Sequence, residues 1–172
     1  TDAQKFVINK CTVVEDDKPI DLGSDFIGNL KVNGSNIAVG TTGTNATVDS
    51  FNEDDRSQKF YFMRQDDGSY KIVSTKSKFK LGAGVAVAGR QVYVAVDNSE
   101  MEIDKWFIFA VGDMYVIKAA GAEELALSTQ NNQLTAGADI IVDTFSSAEG
   151  QKFTITNLGK VDYEIPEKTD TG

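Results

Sequence analysis

A three-residue signature recurs along the chain at near-constant spacing. Gln58-Lys59-Phe60 is followed by Asp104-Lys105-Trp106 and then by Gln151-Lys152-Phe153, with offsets of 104 − 58 = 46 and 151 − 104 = 47. A period in this range is an internal repeat, and it constrains the architecture before any single residue is weighed. Two places beyond each aromatic stands another apolar residue, Phe62, Ile108 and Ile155. That is the period of a strand with one buried face.

The segments between these signatures also correspond. Lys5-Phe6-Val7-Ile8, Tyr70-Lys71-Ile72 and Tyr115-Val116-Ile117 read as the first strand of each repeat. Leu30-Lys31-Val32, Phe79-Lys80-Leu81 and Leu125-Ala126-Leu127 read as the second, apolar at both ends with a variable middle. Short apolar stretches follow at Ile37-Ala38-Val39, Val85-Ala86-Val87 and Leu134-Thr135-Ala136. The third strand is clearest where Ala46-Thr47-Val48-Asp49-Ser50-Phe51 parallels Ile140-Ile141-Val142-Asp143-Thr144-Phe145, with Tyr93-Val94-Ala95-Val96-Asp97 as a looser middle copy.

Three repeats of four short strands, with no stretch of helical periodicity, predict an all-β closed architecture, the β-trefoil. The 172 residues suit one domain with a shared interior. We place it at 1–158, with repeats at about 1–63, 64–109 and 110–158 and a polar tail at 159–172. On this assignment the first and second strands of repeat one lie 30 − 6 = 24 residues apart, against 79 − 70 = 9 and 125 − 115 = 10 elsewhere. The excess predicts an insertion of about fourteen residues within 9–29.

The recurring Gln-x-Phe or Asp-x-Trp strand, preceded by Tyr-x-Ile, resembles the Q-x-W repeat of the ricin B-chain type lectin family. The resemblance spans roughly 4–158. It implies that Phe60, Trp106 and Phe153 are core residues and that the Gln braces a neighbouring loop. It also implies carbohydrate binding through an Asp near the second strand, an aromatic platform, and an Asn or Gln near the fourth. Hydroxyls need carboxylate and amide partners while a sugar's C–H face stacks on a ring. The family's Asp is missing from all three second strands, where Val32-Asn33, Leu81-Gly82 and Leu127-Ser128 stand. What remains is Asp49 with Phe51 and Asn52, Asp143 with Phe145, and Tyr93 with Asp97 and Asn98. Any of these Asn and Asp residues also suits an ordinary turn.

Other function classes are restricted by composition. Seventeen Lys and Arg against 26 Asp and Glu leave a net charge of −9, which disfavours nucleic acid and anionic membrane surfaces as partners. No apolar run is long enough for membrane insertion. The sequence has no histidine, so His-dependent triads, His general bases and His-ligated zinc are excluded. The single Cys11 rules out an internal disulfide. No cofactor and no catalytic residues are expected. Asn33-Gly34-Ser35 and Asn45-Ala46-Thr47 match the N-glycosylation pattern and point to a soluble, secreted or extracellular glycoprotein.

A protease inhibitor is the competing reading, since a trefoil can present one rigid loop to a protease. Asp16-Asp17-Lys18-Pro19 in the enlarged first loop, and Arg90 at the tip of a turn, are its candidate contacts.

Overall fold

The computed structural model describes residues 18–160. They form a 13-stranded sheet, and every strand pairing in it is antiparallel. The strands are β1 (Phe26–Val32), β2 (Ile37–Thr42), β3 (Asn45–Ser50), β4 (Phe60–Arg64), β5 (Tyr70–Ser74), β6 (Lys80–Gly82), β7 (Arg90–Gln91), β8 (Tyr93–Ala95), β9 (Trp106–Val111), β10 (Met114–Ala119), β11 (Ala122–Thr129), β12 (Ile140–Thr144) and β13 (Phe153–Lys160).

Six of them close on one another in the order β1, β4, β5, β9, β10, β13 and back to β1. Closure removes the unpaired edges that an open sheet would present. The pairs β2–β3, β6–β8 and β11–β12 form the second half of each repeat, knitted by Asn45 opposite Tyr93 and by the short β7 alongside β12.

The register displays the three-fold pseudosymmetry residue by residue. Gly28 faces Phe60, Tyr70 faces Trp106 and Tyr115 faces Phe153. Phe60, Trp106 and Phe153 are fully buried in one apolar cluster, and Trp106 Nε1 donates to Leu81 O at 3.1 Å. Phe62 and Ile108 are buried with them, and Ile155 packs against the same cluster from a half-buried position.

One strand assignment from sequence needs correction. The first strand of repeat one is β1, so Leu30-Lys31-Val32 belongs to it rather than to the second strand. Val32 pairs with Phe153 as Ser74 pairs with Phe60 and Ala119 with Trp106. The second strand of repeat one is β2, and the apparent 24-residue spacing came from comparing strands of different rank. Lys5-Phe6-Val7-Ile8 lies outside the described residues. Packing explains why β1 was hidden. Gly28 stands where Tyr70 and Tyr115 stand, and a Cβ there would meet Thr156 O at 2.8 Å and the Phe26 and Phe62 rings at 3.1 and 3.3 Å. Phe26 and Phe62 stack at 4.9 Å beside Tyr70, so aromatic volume comes from two residues earlier and the bulge at Ile27/Gly28 accommodates it.

Residues 18–25 lead into β1 across the barrel. Ile20 N–H donates to Ile108 O at 2.6 Å, Leu22 N–H donates to the Tyr70 hydroxyl at 3.0 Å, and that hydroxyl donates to Gly23 O at 2.7 Å. Ile20 and Leu22 pack on the core cluster. Burial pushes the Tyr70 phenol above its ordinary pKa. At the other end β13 continues through Lys160, which pairs with Phe26. Among the described residues no helix is long and apolar enough to cross a membrane.

Candidate ligand-binding surface

Directly opposed residues in antiparallel strands share a face, so the register defines rows across each repeat. Lys31 is opposite Ala38, which is opposite Asp49. Lys118 is opposite Ala126, which is opposite Asp143. The same composition thus recurs at the same places in repeats one and three. Both alanines are fully buried, so only the lysine and aspartate ends of each row meet solvent.

Two residues beyond each aspartate is a half-buried phenylalanine, and the row's lysine lies over its ring. Lys31 Nζ is 4.0 Å from the Phe51 centroid and Lys118 Nζ is 4.6 Å from that of Phe145. Lys118 Nζ is also 4.9 Å from Phe109. A cation over a ring face is drawn to the negative side of the aromatic quadrupole. Each of these two repeats therefore presents an acceptor carboxylate, a donor ammonium and an apolar ring edge together. Phe51 and Phe145 were predicted from sequence, but their lysine partners were missed. Once the first strands are aligned, the signal is a lysine immediately after the buried Leu30 and Ile117.

Repeat two departs from this pattern. Its row reads Val73, Lys80, Ala95, and Asp97 occupies the place of the two phenylalanines. Asp97 accepts from Lys71 Nζ at 2.6 Å. Lys80, only 5% exposed, donates to Asp104 Oδ2 at 3.0 Å and to Ser99 O at 2.8 Å.

Behind the rows, Gln58 and Gln151 hold equivalent bends, each 2% exposed. Gln58 Nε2 donates to Ser50 O and its Oε1 accepts from Asn52 N–H, while Gln151 Nε2 donates to Thr144 O and its Oε1 accepts from Ser146 N–H. An amide suits this task because it carries both a donor and an acceptor.

With β2 as the second strand of repeat one, Gly40, Gly82 and Ser128 are equivalent, each one residue past the buried Val39, Leu81 and Leu127. These are the places next to which the ricin-type Asp was sought, and Gly40 replaces Val32-Asn33 in that comparison. No side chain fits at Gly82, because a Cβ would lie 2.0 Å from Ile103 O. At Gly40 it would meet Gln58 Cγ at 3.0 Å and Ser57 O at 3.1 Å.

The remaining predicted residues are dispersed. The Asn52 side chain accepts from Asp54 N–H in its own turn, Tyr93 is half-buried opposite Gly82, and Asn98 is exposed in a turn. Asp49 accepts from the Thr47 hydroxyl at 3.3 Å, and Asp143 accepts from Thr144 N–H at 2.9 Å. Arg90 is exposed but sits in β7, paired with Val142, instead of at the turn tip expected for it. Lys18 and Pro19 are exposed, while Asp16 and Asp17 lie outside the described residues. Asn33, at φ 50°, is half-buried within a turn, and Asn45 is exposed at the start of β3.

No family model matches the sequence, and no curated protein matches it by sequence. Solved structures do match. The designed three-fold symmetric protein ThreeFoil superposes with a TM-score of 0.67 at 20% identity, covering 77% of this chain and 99% of that one. The Rhizoctonia solani agglutinin gives 0.66 at 16%, covering 81% and 99%. The Macrolepiota procera ricin B-like lectin, solved in complex with lactose, gives 0.68 at 14%, covering 80% and 99%. With its three pseudosymmetric repeats around a closed six-stranded barrel, this chain is a β-trefoil that shares the fold of the ricin B-like lectins.

Proposed function

We propose that the protein is a non-catalytic recognition module that binds carbohydrate, free or on glycoproteins, through the outer faces of repeats one and three. The observation that carries this reading is the doubled set Lys31, Asp49, Phe51 and Lys118, Asp143, Phe145 at equivalent register positions. Carboxylate oxygens accept hydroxyl protons, ammonium groups donate to hydroxyl oxygens, and a ring edge packs on C–H groups. The fold shared with lectins supports the same reading, and the two Asn-x-Ser/Thr sequences fit an extracellular setting. Two like sites on one rigid scaffold also allow bivalent engagement of a branched or clustered glycan. The pairing of Arg90 with Val142 in β7 gives the inhibitor reading no added support.

A glycan array competed with free sugar tests the proposal. Affinity on the array is expected to fall at least tenfold in the double variant Asp49→Ala, Asp143→Ala while unfolding is unchanged. Affinity equal to that of the parent after the double change contradicts the assignment of these rows.

A further inference from the structure

The outer wall of the barrel holds a cleft at the seam between repeats one and three, beside but separate from Asp49. It has a volume of about 430 Å³, within the range of small-molecule pockets. Its distinguishing group is Asn29, which lies on the outward row of β1 between the inward Gly28 and Leu30. Asn29 is 2% exposed, and its Oδ1 is buried without a hydrogen-bond partner. An unsatisfied buried amide oxygen is costly, and native structures keep few of them. The equivalent positions are Lys71 in repeat two and Val116 in repeat three, so the amide is particular to this seam.

We infer that this cleft is a binding site for a single neutral, hydroxyl-rich unit of saccharide size, with Asn29 as its anchoring group. The inference rests on the carbohydrate-binding reading above and adds a site of different composition. Hydroxyl chemistry follows from the amide. A hydroxyl both donates and accepts, so it pairs with whichever end of the Asn29 amide is turned to the cleft, whereas an ammonium or a carboxylate pairs with only one of the two ends. Neutrality follows from the rim, where Lys31 and Lys59 are balanced by Glu53 and Asp54. A charged ligand would meet a like charge on either side. Phe51 and the exposed Leu158 supply the apolar wall for a sugar's C–H face. Lys31 and Phe51 are common to this cleft and to the row of repeat one, so the two sites of that repeat adjoin.

The test is a titration of isotopically labelled protein with D-galactose, D-mannose and N-acetyl-D-glucosamine in turn, followed by NMR. Saturable shifts of the Asn29 side-chain amide and the Leu158 methyl groups are expected with at least one of these sugars. In Asn29→Leu, affinity at the cleft should fall about tenfold, the loss of one good hydrogen bond. Core methyl signals such as those of Leu30 report whether that variant is folded, and Leu158→Ser provides a second variant that leaves the buried position untouched. Shifts confined to the Asp49 and Asp143 rows overturn the cleft and leave the carbohydrate reading standing. The absence of saturable shifts anywhere overturns both.

Discussion

In repeats one and three a first-strand lysine lies over a phenylalanine, and a buried glutamine holds the bend behind it. In repeat two the lysine sits in the middle of the row, an aspartate replaces the ring, and Asp104 replaces the glutamine. These changes are coupled by hydrogen-bond chemistry. An ionised carboxylate can only accept, so Asp104 cannot hold a bend carbonyl as Gln58 and Gln151 do. Lys80 supplies the missing donor by reaching Ser99 O while it neutralises Asp104. Because it occupies the site of Ala38 and Ala126, the row of repeat two serves the fold, whereas the other two leave their charged ends to solvent.

The largest expected effect comes from separating that ion pair. Asp104→Ala leaves Lys80 nearly buried without its counter-charge and should cost about 3 kcal/mol in urea unfolding. Gln151→Ala, which removes a neutral brace, should cost about 1–2 kcal/mol. Equal losses would erase the distinction between the repeats. The double change Lys80→Ala, Asp104→Gln, which rebuilds the amide brace, should come within about 1 kcal/mol of the parent, because a buried pair is replaceable when both partners go together.

Tyr70 sharpens the comparison from the first-strand side. It is fully buried and tied to Leu22 and Gly23, whereas Tyr115 at the equivalent place is half-buried. Tyr70→Phe should cost about 1–2 kcal/mol. The sign of the pH effect follows from the raised pKa. Stability from the neutral phenol is complete below its ordinary value of 10.0 and is lost as pH climbs through the higher folded value. Alkaline unfolding should therefore lose part of its pH dependence in Tyr70→Phe.

Smaller still, Lys118→Ala and Lys31→Ala should each cost about 0.5–1 kcal/mol, the range for exposed cation–ring contacts. A negligible loss for both would mean that these lysines are not held by the rings.

The fold was legible because the fourth strands carry large buried aromatics at fixed spacing, and Phe60, Trp106 and Phe153 have little freedom to vary in a shared core. Repeat one hid its first strand because the stacked Phe26 and Phe62 rings fill the space of the missing tyrosine, so the Tyr-x-Ile pattern is absent there. The match of Asp49 to Asp143 was visible from their flanking residues. Lys31 and Lys118 were not linked to Phe51 and Phe145, because that contact depends on register across three strands. Asn29 gave no sequence signal at all, since burial of an outward-facing residue depends on the packing of loops around it.

Glycan binding by four proteins, compared at matched folded concentration, separates the repeats most sharply: the parent, Asp49→Ala, Asp143→Ala and Asp97→Ala. Asp49→Ala and Asp143→Ala are each expected to weaken binding, and Asp97→Ala, in the repeat whose row is closed by Lys80, is expected to bind like the parent. Binding that falls with Asp97→Ala and is indifferent to Asp49 and Asp143 would contradict recognition through repeats one and three.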